Sequence, residues 1–166
     1  TAFLRHPICL HPAMPFLFSP TRILKPSFKP SNKNNTCIVQ NFLNLCSQGH
    51  LQEAVKSLDL LAQKGIRLDC KKLAFLIQKC AESKNLKLGR WVHLHLKVTG
   101  LKHPNTFLAN HLINMYGKCG DHIEARLVFD KMSLRNLYSW NNMLSGYAKQ
   151  LMVKPARRLF DKMPER

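Results

Sequence analysis

The chain has 166 residues, of which 26 are Lys or Arg and 9 are Asp or Glu, so its net charge at pH 7 is +17. This excess of basic residues predicts a polyanionic partner, although basic side chains on solvated helix faces are an alternative explanation. The nine scattered acids offer no carboxylate pair, and neither a nucleophile elbow nor a phosphate-binding loop occurs. We therefore predict that the chain is not an enzyme.

Residues 1–34 are predicted to form a separate N-terminal segment. The segment has no acidic residue, and its prolines are dense enough to exclude a helix. They are Pro7, Pro12, Pro15, Pro20, Pro26 and Pro30. A basic, acid-free composition is similar to that of an organelle transit peptide, and an unstructured basic linker is the alternative. No apolar run reaches the roughly 18 residues of a membrane span, so we predict no membrane partner.

Cysteine and histidine do not occur in a metal-binding pattern. No C-x-x-C pair is present to hold zinc. His93 and His95 are two residues apart, so on a helix they point to different sides. We predict no metal and no cofactor, and expect the cysteines to serve mainly as small buried apolar residues. They are Cys9, Cys37, Cys46, Cys70, Cys80 and Cys119.

An internal repeat runs through residues 35–166. Residues 125–132 (ARLVFDKM) return as residues 156–163 (ARRLFDKM), 31 positions later. Apolar residues in each copy recur at i, i+3, i+4 and i+7, which is typical of an amphipathic helix. A fixed period of about 20 to 50 residues indicates stacked units. The chain is therefore predicted to be all-α, an α-solenoid of helical hairpins.

The predicted units are residues 35–69, 70–105, 106–136 and an incomplete 137–166. Each is expected to hold two helices, at about its positions 2–13 and 16–29, separated by a break such as residues 117–121 (GKCGD). Gly65 and Gly100 each follow an apolar run and are predicted helix C-caps. Leu151 stands where Gly49 and Gly120 stand in other units, so its turn is predicted to be reshaped if it needs a positive φ.

Longer strings resemble a known family. HLINMYGKCGDHIEARLVFDKM, SWNNMLSGYAKQ, ARRLFDKMPER and KCAESKNLKLGRWVHLHLKVTG are similar to motifs of plant pentatricopeptide repeat (PPR) proteins of the P-L-S subclass. The resemblance implies a right-handed solenoid that binds single-stranded RNA in mitochondria or plastids, one nucleotide per repeat. It also implies a role in C-to-U editing or in processing. The alternative function is a helical-repeat scaffold that binds RNA-processing proteins, for example around Met143, Met152 and Met163.

The resemblance also implies base-reading residues, at the fifth and the last position of each unit. In the third unit these are Asn110 and Asn136, a combination similar to those that prefer C, then U. Asn141 is the fifth residue of the fourth unit, whose last position would lie past Arg166. By the same resemblance, Phe107 and Tyr138 stack on the base, and packing between helices is their alternative role. Asn110 and Asn141 are alternatively ordinary polar residues of a helix surface.

The other reading positions are weaker. They are Val39 and Asp69 in the first unit, and Ala74 and Asn105 in the second. Valine has no group that hydrogen-bonds a base edge. The chain stops where the family normally enters another motif, so we expect a fragment that binds RNA weakly and mainly through phosphates.

Overall fold

The computed structural model describes residues 33–99 and 105–164, and within these ranges every regular element is an α-helix. The all-α prediction is confirmed. The helices are α1 (Lys33–Gln48), α2 (Leu51–Gln63), α3 (Cys70–Glu82), α4 (Leu86–Val98), α5 (Thr106–Lys118), α6 (His122–Asp130), α7 (Leu137–Lys149) and α8 (Val153–Asp161). The predictions for residues 1–32 and for a cap at Gly100 lie outside the described residues.

Consecutive helices pair into four antiparallel hairpins, one for each predicted unit. The second helices α2 and α4 have 13 residues each, whereas α6 and α8 have 9. Four residues are about one helical turn, so the 31-residue unit is shorter because its second helix loses one turn. The prediction that the second helix reaches position 29 was wrong for the third and fourth units, because α6 ends at Asp130 and α8 ends at Asp161.

The turn inside each hairpin has one backbone geometry. Its middle residue has a positive φ, +82° at Gly49, +51° at Lys84, +84° at Gly120 and +56° at Leu151. The amide of the following residue donates to the carbonyl five positions earlier, as from Met152 to Tyr147 at 3.0 Å. These bonds satisfy carbonyls at the helix end. The predicted reshaping at Leu151 was therefore wrong, since the hydrogen bonds hold a leucine in the left-handed region. Gly65, with φ +69°, ends α2 as predicted.

The first helices of the hairpins form a continuous row, in which α1 packs on α3, α3 on α5 and α5 on α7. A close approach of two helix backbones in this row joins α5 to α7. A Cβ atom added to Gly117 would lie 3.2 Å from the Cα atom of Gly146. Gly117 therefore lies inside a helix and permits close packing, so its assignment to a break between helices was wrong.

The core runs between the two rows of helices and contains the repeated apolar positions. Ala54 and Leu58 in α2 are as deeply buried as the equivalent Ala125 and Phe129 in α6. Of the described cysteines, Cys46 and Cys80 are fully buried, Cys70 and Cys119 are half-buried, and Cys37 is exposed. The expectation of buried cysteines is thus met in part.

The methionines do not form the protein-binding surface that was suggested for them. Met143 is 1% exposed and Met163 is 8% exposed. Met152 is half-buried and packs against the core. That suggestion was wrong, because these side chains fill the space between helices. Among the described residues, no helix is both long enough and apolar enough to cross a membrane.

Candidate nucleic-acid interface

Two predicted base readers of the third unit are in direct contact. Asn110 lies in the second turn of α5, and Asn136 is the residue that precedes α7. The Nδ2 group of Asn110 donates to Oδ1 of Asn136 at 3.1 Å. The packing of α5 on α7 thus joins the fifth and last residues of one unit into a single polar edge.

The last residue of each of the first three units has a second, structural function as a helix N-cap. Asp69 accepts a hydrogen bond from the Lys72 amide, and Asn105 accepts one from the Leu108 amide. Asn136 accepts from the Ser139 amide at 3.0 Å. Asp and Asn are favoured at N-caps because their side chains satisfy free amides of the first turn. Capping therefore explains these residue types whether or not they also read bases.

The two predicted stacking residues are exposed in the first turns of α5 and α7. Phe107 is 47% exposed and Tyr138 is 73% exposed. The His111 ring meets Phe107 edge-on, with the ring centres 4.8 Å apart. In the described part of the chain, no ring contact joins Phe107 to Tyr138. Their alternative role, packing between helices, would bury these rings more completely.

The remaining reading positions differ from the third unit. Ala74 is 3% exposed and lies in the core, and Val39 is half-buried against the core. Neither side chain has a hydrogen-bonding group. Asn141 is exposed on α7. The third unit is thus the unit whose two reading residues are both described, polar and in contact.

A basic cleft lies at the C-terminal ends of the first helices. Its volume is about 540 Å³. Lys84, Lys118 and Lys149 line it, together with Glu82 and Gln150. Lys118 and Lys149 occupy equivalent positions at the ends of α5 and α7. Cations are stabilised at helix C-termini by the helix dipole, so the cleft collects positive charge beside the row of first helices.

The two neighbouring histidines have separate structural partners. His93 is buried, and its Nδ1 lies 2.8 Å from the Tyr116 hydroxyl of α5. Burial, with added repulsion from Lys97 and Lys131, lowers the pKa of His93 to about 4. His95 instead faces Asp59 of α2, with Nδ1 3.4 Å from Oδ1. Within the described residues, no group of three or more metal-ligating side chains is assembled.

Two polar residues next to the predicted readers were missed by the sequence analysis. Ser139 is fully buried and completes a capping box with Asn136. Asn142 donates its Nδ2 group to the backbone carbonyl of Asn110 at 3.1 Å. The N-x-x-S spacing before a helix was a usable signal for the capping box. No local pattern indicates the Asn142 contact, since it depends on how α7 packs on α5.

Comparisons with known proteins agree with this architecture. The family model for the PPR repeat matches residues 107–137 and 138–166. A pentatricopeptide repeat-containing protein of Arabidopsis thaliana is 55% identical over 110 residues, which are 66% of this chain and 18% of that protein. Two further Arabidopsis thaliana proteins of that description, named chloroplastic and mitochondrial, are 35% and 36% identical over 73% and 66% of the chain. The chain covers 18% and 16% of these two.

The fold also matches a solved structure. The crystal structure of the pentatricopeptide repeat protein PPR10 from maize superposes with a TM-score of 0.56, at 22% identity, over 81% of this chain and 19% of that one. The chain spans less than a fifth of the length of this protein and of the Arabidopsis relatives described above. The chain thus contains PPR repeats, folds as a helical-repeat solenoid and is homologous to plant pentatricopeptide repeat proteins.

Proposed function

We propose that the chain binds single-stranded RNA along its row of first helices and that its third unit reads one nucleotide. The observation that carries this proposal is the hydrogen bond between Asn110 and Asn136, which unites the two predicted readers. Carboxamides offer both donors and acceptors. Single-stranded RNA presents unpaired base edges that such groups recognise.

Exposed aromatic rings support a stacking contribution. Phe107 and Tyr138 are equivalent residues at the starts of α5 and α7, the two helices that carry the reading edge. Stacking of a base on an aromatic side chain is worth about 1 to 3 kcal/mol and tolerates any base. We propose that one base lies between these two rings with its edge toward the asparagines.

The charge distribution supports contacts with phosphates. Of the Lys and Arg residues, Lys72, Lys79, Arg90 and Arg126 form ion pairs within the described residues. The cleft lysines are not among these four. Lys84, Lys118 and Lys149 would then meet the backbone of the strand whose bases face the first helices. Phosphate contacts supply affinity without sequence preference.

We propose that the biological role of the chain is to recognise C-to-U editing sites in organellar RNA, or to take part in the processing of that RNA. Unit lengths of 35, 36 and 31 residues, with second helices of 13, 13 and 9 residues, support assignment to the P-L-S subclass. Relatives named mitochondrial and chloroplastic support an organellar location, of which we favour the mitochondrion. RNA-editing or processing proteins would be further partners. The organellar location is tested by attaching residues 1–34 to a fluorescent reporter. A reporter that stays in the cytosol would contradict it.

The binding proposal is tested by fluorescence anisotropy of labelled single-stranded RNA with the full chain. For single strands, the logarithm of affinity falls by about 0.7 per neutralised phosphate for each decade of salt. Three cleft lysines therefore predict an affinity loss of about 20-fold between roughly 50 and 200 mM salt. Salt-insensitive binding, or retention of proteins in place of RNA, would favour the scaffold alternative.

A pair of charge-matched variants shows where the RNA lies. Lys118→Gln combined with Lys149→Gln removes two charges from the cleft. Lys56→Gln combined with Lys87→Gln removes two exposed charges from the second helices α2 and α4. The cleft pair should lower the slope of log affinity against log salt by about 1.4, and the control pair should change it little. Equal effects would place the RNA elsewhere.

A further inference from the structure

We infer that Ser139 is a specificity-positioning residue, which fixes the direction in which the Asn136 carboxamide faces a bound base. The inference rests on the proposed RNA-binding function. Ser139 is fully buried at the third position of α7. The equivalent residue of α5 is Leu108, so the hydroxyl is particular to the junction between the third and fourth units.

The hydrogen bonds around Ser139 define the orientation of Asn136. The Ser139 amide lies 3.0 Å from Oδ1 of Asn136. A backbone amide only donates, so the atom that it meets must be the carboxamide oxygen. The Ser139 hydroxyl donates to the same oxygen at 3.0 Å, and it accepts from the backbone amide of Asn136 at 3.2 Å. Both groups of Ser139 therefore hold the oxygen toward the helix.

This orientation extends to Asn110. The oxygen of Asn136 already faces Asn110, so Asn110 must present its Nδ2 group to it, at 3.1 Å. The Oδ1 atom of Asn110 is left buried, and no described residue donates to it. A buried acceptor without a donor is unfavourable, so the bonds from Ser139 hold Asn136 in an orientation that Asn110 alone would not favour.

The Asn136 side chain thus offers a bound base one group in a defined orientation. That group is the Nδ2 donor of Asn136, a residue that is exposed and whose Nδ2 takes no partner among the described residues, whereas Oδ1 of Asn110 is buried and not open to a base. Cytosine supplies the matching acceptor at its ring nitrogen N3, where uracil carries an N–H donor. Rotation of the Asn136 carboxamide by half a turn would replace the donor by an acceptor, and Ser139 opposes that rotation.

A double-mutant comparison tests the positioning role. The selectivity of the chain is measured as the ratio of Kd values for RNAs that carry U or C at the nucleotide matched to the third unit. We expect Ser139→Ala to reduce this ratio by about fivefold, the loss of one net hydrogen bond. The Asn136→Asp change replaces the carboxamide by a carboxylate, whose two oxygens are equivalent, so half a turn of the group does not change what faces the base. In the Asn136→Asp background, Ser139→Ala should therefore leave the selectivity unchanged.

Asn85→Ala is the matched control for a loss of helix capping. Asn85 caps α4, in the second-helix row, by accepting from the Leu88 amide at 3.1 Å. It should lower the unfolding temperature as Ser139→Ala does, but leave the Kd ratio intact. Thermal unfolding of all variants confirms that the compared proteins are folded.

Three results would overturn the inference. Selectivity that persists in Ser139→Ala removes the role of the hydroxyl. An equal loss in both backgrounds, or a similar loss in Asn85→Ala, assigns the effect to helix stability. If the unaltered chain shows no selectivity at any nucleotide, base reading by the proposed function fails, and the role of Ser139 fails with it.

Discussion

The side chain of Asn110 hydrogen-bonds that of Asn136 across 3.1 Å, although 26 residues separate them in the sequence. The two residues belong to different helical hairpins in space, because Asn136 caps the helix that begins the next hairpin. A change at either residue therefore alters an edge that both of them form. Base preference should depend on the pair, and the first prediction tests the pair together.

Asn110→Thr combined with Asn136→Asp should shift the preferred nucleotide of the third unit from C or U toward G. This follows the pairing logic of the PPR family. The new pair is also richer in acceptors, which suits the two adjacent N–H donors of guanine. Aspartate is as good an N-cap as asparagine, so α7 should keep its start.

The measurement is a set of Kd values for four RNAs that differ only at the matched nucleotide. A discrimination of about 1 to 3 kcal/mol is expected for a well-formed pair of hydrogen bonds. If the double variant keeps the original base order, the two asparagines serve only to cap and pack helices.

Phe107→Ala should weaken binding of all four RNAs alike, by about 1 to 3 kcal/mol, because stacking does not depend on base identity. Ile123→Ala is the control. Ile123 is 64% exposed on α6, in the row of second helices, and should leave RNA binding unchanged. A changed order of base preference in Phe107→Ala would show that the ring contributes to readout.

Leu151→Gly should stabilise the fold by about 1 kcal/mol, since glycine adopts a positive φ without the steric cost that leucine bears. The side chain is 86% exposed, so little packing is lost. Leu151→Ala separates the two effects, because alanine removes the exposed surface but retains Cβ. Urea denaturation should show a gain for glycine alone, and an equal gain for alanine would contradict the backbone explanation.

Stability should fall on acidification through His93. Burial lowers its pKa from 6.5 to about 4 in the folded chain. Between these two values the unfolded chain binds a proton that the folded chain does not, so stability decreases as the pH falls through that window. The expected slope is about 1.4 kcal/mol per pH unit.

His93→Gln removes the titration and keeps a polar side chain that is able to hydrogen-bond Tyr116. Both proteins retain the other titrating groups, so the difference between their urea-denaturation curves isolates His93. The free energies of unfolding should converge between pH 6.5 and 4. Parallel dependence on pH would show that His93 is not the group responsible.

The sequence by itself predicted two helices for each of four units, and the residues 33–99 and 105–164 that the structure describes contain these eight helices, with some ends displaced. These features depend on patterns of a few neighbouring residues, such as apolar spacing, N-cap residues and glycine after a helix. The hydrogen bonds of the N-caps and of the turns also join residues that are close in the sequence. The residues that it indicated as apolar faces, such as Ala54 and Ala125, are buried as expected. Asn110 and Asn136 were identified through family resemblance, and their contact was not deducible from spacing.

Tertiary structure decided which surfaces are covered and which irregular positions are tolerated. Gly117 was read as a helix breaker, but its role depends on Gly146 of a neighbouring helix. Met143 and Met163 were read as a surface, but adjacent helices enclose them. Leu151 keeps the turn of its glycine counterparts because hydrogen bonds from the flanking residues hold it there. For Gly117 and the two methionines the deciding contact comes from another helix, since burial and close approach depend on the neighbours that the fold supplies.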